Sequence, residues 1–225
     1  MIFFDVAARI LQASGAPATA VAALAPAWTN IGALLDVPKP KGAACLACFD
    51  GFVHVVGRTL VLLQHEGAPL PFEQYKASGR RIGGGSSAFA QGREDLAYVY
   101  RLAAGHEPVL ASGVKVAAGT ALTTGVVSVH DLLDILGERP LRDEFGRALR
   151  ARAPLDDATL EALLDPMFGF VEIVEAGDSG VEEGTVVRRD EFFARNQALL
   201  AEDRQPAIAR QILLGYTQLA ARLST

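Results

Sequence analysis

Apolar residues recur with a period of two along 37–125 of this chain, and from 129 onward the spacing becomes that of amphipathic helices. Ala44 to Phe49, Phe52 to Val56 and Thr59 to Leu63 read as short strands, with Asp50-Gly51 as one hairpin turn and Val56-Gly57-Arg58 as a second. The alternation resumes at Leu96 to Leu102 and runs to about Thr124, punctuated by Gly113, Gly119 and Gly125. Between these stretches, residues 66–93 carry Gly67, Pro69, Pro71 and the tract Ser78-Gly79-Arg80-Arg81-Ile82-Gly83-Gly84-Gly85-Ser86-Ser87. Without apolar periodicity, this part reads as a long mobile insertion that folding does not need.

Helical spacing flanks the β pattern on both sides. Within 1–36, Phe4, Ala7, Ala8, Ile10 and Leu11 share a face, Ser14-Gly15-Ala16-Pro17 ends it, and Ile31, Leu34 and Leu35 mark another brief helical turn. Val37-Pro38-Lys39-Pro40-Lys41-Gly42 then forces an extended connection. On the far side, Val129 to Leu136 is a helix ended by Gly137, and Leu141 to Arg152 is a second. Asp156-Asp157 caps a third over Leu160 to Leu164, which Pro166 ends. A small β element at about 170–188 pairs Val171 to Val174 with Gly184 to Val187. Helices over about 190–202 and Pro206 to Leu223 follow. The prediction is an α+β chain in three parts: an N-terminal helical segment 1–36, a small barrel-sandwich-hybrid-like β domain 37–128, and a helical region 129–225 with its short β element.

With 225 residues, half of them hydrophobic, the chain can bury a substantial core. Aromatics are only 7%, which leaves no platform for stacking nucleic-acid bases, and the net charge of −5 argues against autonomous nonspecific binding to nucleic acid. Met1-Ile2-Phe3-Phe4-Asp5 has no basic region before its apolar residues, and Pro17 and Pro26 interrupt the Ala-rich stretch at 16–27. Neither stretch reads as a signal peptide or a membrane span, so the expected location is cytoplasmic.

Candidate chemistry is sparse. Cys45 and Cys48 form a lone C-x-x-C inside a predicted strand, where residues three apart point to opposite faces, and with no second pair they read as small buried or edge thiols. His130-Asp131 has the makings of an oriented base but no nucleophile, and reads as a helix-start cap. Asp156-Asp157, Glu182-Glu183 and Glu202-Asp203 lack ligand spacing. No catalytic, metal or cofactor-binding residue is predicted. Interaction candidates are arginines: Arg80 and Arg81 at the tip of the insertion, able to reach a phosphate backbone, and Arg139, Arg142, Arg147 and Arg150, joined by Arg152, along one helical segment. Interleaved Glu138, Asp143 and Glu144 turn that segment into a mixed-charge face.

Several motifs stand in an order that resembles the C-terminal part of the bacterial RNA polymerase β′ subunit, its jaw and the helical segment that follows. They are Pro38-Lys39-Pro40-Lys41-Gly42, Asp50-Gly51-Phe52-Val53, Tyr98 to Leu122, His130-Asp131 with Ile135-Leu136, Gly177-Asp178-Ser179-Gly180, Glu183-Gly184-Thr185-Val186-Val187, and Ile212-Leu213-Leu214-Gly215-Tyr216-Thr217. The resemblance implies a free-standing, divergent relative of that region, whose partners are RNA polymerase, a transcription factor that binds the jaw, or downstream DNA held only weakly or through a complex. The family's catalytic N-A-D-F-D-G-D run does not occur in this sequence, and neither does a trigger loop, so no polymerase activity is expected. Where the family carries Lys, His and Arg, this chain reads Asp157-Ala158-Thr159-Leu160-Glu161 and Asp165-Pro166-Met167. The alternative is a barrel-sandwich-hybrid carrier or assembly module unrelated to transcription, suggested by Gly113-Val116-Gly119-Leu122. A carrier needs a modifiable lysine beside Met at a hairpin tip, and neither Lys76 nor Lys115 has a Met neighbour.

Overall fold

The computed structural model describes residues 28–57, 59–63, 75–77, 85–90, 96–102 and 104–223, together with positions 8, 9, 11 and 24. Most of the predicted N-terminal helical segment therefore lies outside the described residues, whereas α1 (Trp28–Leu35) is a helix as the Ile31, Leu34, Leu35 spacing predicts. The fold is α+β, with two antiparallel sheets and six helices among the described residues. It divides into two compact units, Lys39–Gly137 and Met1–Pro38 with Glu138–Thr225. No described helix is long and apolar enough to cross a membrane.

In the unit Lys39–Gly137, the strands are β1 (Gly51–Val56), β2 (Thr59–Leu63), β3 (Tyr75–Ala77), β4 (Gly85–Ala90), β5 (Leu96–Arg101) and β6 (Val114–Val116). They form an open sheet in the order β3-β4-β5-β2-β1-β6, every neighbour antiparallel. The β1–β2 hairpin turns where expected, at Gly57 with φ +60°. The predicted hairpin at Asp50-Gly51 does not form. Residues 44–49 are a strap rather than a strand, joined to 117–126 by Ala47 N–H to Thr120 O (2.9 Å), Gly119 N–H to Ala47 O (2.7 Å) and Leu122 N–H to Cys45 O (2.8 Å). Asp50 Oδ1 accepts from the Ala118 amide at 2.8 Å, and β1 pairs with β2 and β6 instead. Alternation marks a half-buried segment without naming its partner, and here the partner lies some seventy residues downstream.

Strap and sheet enclose one cluster: Cys45, Ala47, Val53, Leu60, Leu62, Tyr98, Tyr100, Val116 and Leu122. Tyr100 fastens it, its hydroxyl donating to Leu46 O (2.8 Å) and accepting from the Cys48 amide (3.1 Å). The stretch 66–93, expected to lack regular structure, supplies β3 and β4, and β4 pairs with β5 from Gly85↔Tyr100 to Phe89↔Leu96. Gly and Ser content reads as loop in isolation, but the edge of β5 offers a full row of backbone partners to this small-residue segment. Helix α2 (Val129–Leu136) follows, capped by Ser128 and ended at Gly137.

The second unit holds α1, α3 (Glu138–Arg150), α4 (Asp157–Phe168), α5 (Arg189–Ala201) and α6 (Tyr216–Leu223), with β7 (Phe170–Glu175), β8 (Val186–Arg188) and β9 (Ile208–Ile212). Asp156 caps α4 as predicted, its Oδ1 accepting from the Thr159 amide at 2.7 Å. Pro166 does not end the helix. Its ring removes one backbone bond at a cost of about 3 kcal/mol, yet continuing the turn buries Met167 and Phe168 completely, worth about 1.5–3 kcal/mol each. The Leu214 amide then takes the Met167 carbonyl at 3.0 Å.

The small sheet runs β8-β7-β9. Its third strand falls where a helix from Pro206 is predicted, so α6 begins only at Tyr216. Ile208, Arg210 and Ile212 keep a period of two that β7 satisfies. Gly177 sits in the left-handed region at φ +51°, and a Cβ there would lie 2.5 Å from Pro206 O, so the turn at 177–180 and the approach to β9 fit only around glycine. Trp28 of α1 meets Tyr216 of α6 edge to face, centroids 5.7 Å apart, and the Tyr216 hydroxyl donates to Leu163 O at 3.1 Å.

Candidate interaction surface

The arginine candidates separate once placed. Arg80 and Arg81 lie outside the described residues. Leu141, Phe145 and Leu149 turn one face of α3 into the core, which leaves its charged residues on the outer side. There Arg139 is exposed, Arg147 pairs with Glu144, Arg150 pairs with Asp157, and Arg152 donates to Ala148 O at 3.2 Å.

Arg142 is different in kind. Its side chain is only 17% exposed, and each of its three guanidinium nitrogens meets a carboxylate: Nε with Glu138 at 2.6 Å, Nη1 with Glu161 at 3.0 Å, Nη2 with Asp165 at 2.9 Å. The guanidinium also stands over the Phe168 ring, 4.9 Å from its centroid. Glu138 in turn accepts from Arg189 Nη1 and from Gln211 Nε2, both at 2.6 Å, and Gln211 donates further to Phe168 O at 3.2 Å. One carboxylate thus ties α3 to the start of α5 and to β9, while Arg142 ties α3 to α4. Burial pushes the Glu138 carboxyl up, but the hydrogen bonds from Gln211 and Arg142 and the charge of Arg189 outweigh it and hold the group below the usual carboxylate range. Burial likewise works against the Arg142 charge, and the bonds to Asp165 and Glu138 overcome it. Chemically this is a saturated junction. Its cation is spent on internal partners, so α3 offers a compensated surface rather than a basic stripe.

The remaining candidates are equally closed. Cys45 lies in the buried cluster and Cys48 packs against it, so the strap turns both toward the same core instead of to opposite faces. Neither is in a disulfide among the described residues, and burial raises the pKa of each thiol, which suppresses the thiolate. At the start of α2 the cap is Ser128, whose Oγ accepts from the Asp131 amide at 3.3 Å, rather than His130-Asp131. Burial, then the neighbouring Asp134 charge, pushes the Asp131 carboxyl up. Among the described residues, no group of three or more His, Cys, Asp or Glu is placed to hold a metal ion.

Two features escape the sequence. Glu138 gathers Arg142 from its own helix but Arg189 and Gln211 from 51 and 73 residues away. On α5, Phe193 and Leu200 are 56% and 61% exposed, while Leu199 is buried and Phe192 half-buried. The doublets Phe192-Phe193 and Leu199-Leu200, seven residues apart, are the signal: a helix with apolar residues on two faces.

Comparison with known proteins finds similarity to a subunit of RNA polymerase. It is 29% identical over 196 residues to the DNA-directed RNA polymerase subunit β′ of Campylobacter jejuni, a match that takes in 85% of this chain. It is 36% identical over 114 residues to that of a Sulfurovum species, and 33% identical over 132 residues to that of Thermus aquaticus. These matches cover 48% and 56% of the chain. No protein-family model matches. The chain is therefore similar to part of the β′ subunit, and it spans only about a tenth of the length of the proteins it matches, 11%, 8% and 9% respectively.

Proposed function

We propose that this chain is a noncatalytic transcription-associated protein of the cytoplasm, a jaw-like relative of β′ that works by docking on RNA polymerase or on a factor that binds the jaw, and that meets downstream DNA only within such a complex. The observation that carries the reading is similarity to β′ over 85% of the chain, in a sequence without the Asp run that binds magnesium in polymerase. In this reading the unit with the strapped sheet is the barrel-sandwich-like jaw portion, and the unit with the small sheet corresponds to the helical region that follows the jaw in sequence. Charge supports protein contact over DNA contact. A net charge of −5, and the pairing of Arg142, Arg147 and Arg150 that breaks up the basic run along α3, work against holding phosphate.

Affinity purification of the tagged full chain from its native host tests this. Polymerase subunits should co-purify at constant ratio through a salt wash and a nuclease treatment. Recovery of the chain with neither polymerase subunits nor a polymerase-binding factor, or with subunits lost on nuclease treatment, overturns it.

A further inference from the structure

We infer that the exposed face of α5 is a docking surface for a folded protein partner that presents apolar side chains flanked by lysine or arginine. The inference rests on the proposed function only in taking that partner to be a polymerase subunit. Phe193 and Leu200 lie two turns apart on one stripe of α5, more than half exposed. Asn196, between them, exchanges two hydrogen bonds with Ala207, donating to its carbonyl at 2.8 Å and accepting from its amide at 3.0 Å. That pair fixes the start of edge strand β9 beside the stripe and adds Ile208, 52% exposed. Three large apolar residues on a helix and an adjoining sheet edge are more than scattered surface apolarity.

Charge selects the occupant. The unit Met1–Pro38 with Glu138–Thr225 contains 12 arginines and no lysine against 18 Asp and Glu, a formal charge of −6. Around the stripe, Glu175 stands opposite Ile208 in the β7–β9 register, Glu191 lies in the first turn of α5, and Asp203 follows its last. All three are exposed and none forms an ion pair with Lys or Arg among the described residues, although Arg188 feels the Glu191 charge and the exposed Arg195 lies one turn on from it. A second copy of the chain would set one acidic rim against another, and an anionic membrane would meet the same repulsion; a basic-rimmed apolar patch meets attraction.

The test uses the full chain and purified RNA polymerase core from the native host. Phe193→Ser with Leu200→Ser removes the apolar stripe at exposed positions, and Glu175→Lys with Asp203→Lys reverses the rim without touching it. Each pair should weaken binding by about tenfold or more while thermal unfolding stays near that of the parent. Parent-like binding by both variants overturns the docking surface and leaves the proposed function standing, as does a self-associated parent that Phe193→Ser with Leu200→Ser disperses. If the parent does not bind polymerase, docking on polymerase itself falls, and an amphipathic Leu/Lys helical peptide titrated into the isotope-labelled chain judges the surface. Amide shifts confined to α5 and the start of β9, absent with a Leu/Glu peptide, uphold it; shifts elsewhere or none overturn it.

Discussion

Replacing Glu138 with alanine removes the acceptor on which Arg142, Arg189 and Gln211 converge, each at 2.6 Å. A hydrogen bond to a charged group contributes about 1.5–3 kcal/mol, and breaking a fully buried ion pair costs about 3–5 kcal/mol because it strands the partner. The site lies below that upper range. Arg142 keeps Glu161 and Asp165, Gln211 keeps Phe168 O, and Arg189 at 35% exposure rehydrates. The expected loss is about 2–3 kcal/mol, or roughly 5–10 °C in the unfolding midpoint for a chain of this size. The single tryptophan, Trp28, packs on Tyr216 in the same unit, so its fluorescence in urea reports the unfolding that matters.

The pH dependence carries a second signature. Because the folded-state pKa of Glu138 is lowered, its contribution is fully present above the carboxylate range of the unfolded chain and is lost as pH falls through the folded value. The gap between parent and Glu138→Ala should therefore be widest near neutrality and close in acid. A neutral-pH loss under about 0.5 kcal/mol, within the usual effect of an ordinary surface substitution, refutes the junction. So does a gap that persists unchanged below the carboxylate range.

Tyr100→Phe leaves the Leu46 carbonyl and the Cys48 amide without their partner, so urea unfolding should show a loss of about 2–3 kcal/mol, and thiol labelling of Cys48 should speed up as the strap loosens; unchanged labelling would place the strap's anchor elsewhere. Gly177→Ala forces a side chain to within 2.5 Å of Pro206 O at φ +51° and should cost more than about 2 kcal/mol in thermal unfolding, with parent-like stability contradicting the close approach. Titrated against random duplex DNA at several salt concentrations, the purified chain should bind weakly with a shallow salt slope. Submicromolar affinity with a steep slope would make it an autonomous DNA-binding protein.

Local signals were readable where one short segment decides its own structure. Ser128 to Gly137 carries its cap, its apolar spacing and its stop within ten residues, and α2 forms there. Asp156 and the turn at Gly57 are of the same kind. Legibility failed where the partner is distant. Ala44 to Phe49 is a short apolar run that reads as a strand but bonds to 117–126, Gly85–Ala90 has loop composition but completes the edge of β5, and Ile208–Ile212 has residues fit for a helix but adds to β7. At Pro166 the local helix-ending rule is outweighed by the burial of the two residues after it.

The interaction face shows the same limit in electrostatic form. Counting arginines along 139–152 suggests a cationic helix, but charge available to a partner is what remains after internal pairing, and pairing is a tertiary quantity. Arg142 is joined to Glu161 and Asp165 from the next helix, and Glu138 is shared with Arg189. These contacts convert the most prominent run of positive residues into a brace between α3, α4, α5 and β9. Exposed carboxylates outside ion pairs, Glu175 and Asp203 among them, stand instead around α5 beside the apolar side chains Phe193 and Leu200. A surface of that composition disfavours phosphate and admits protein, so what the chain can touch is decided less by the arginines its sequence displays than by the acids those arginines leave unpaired.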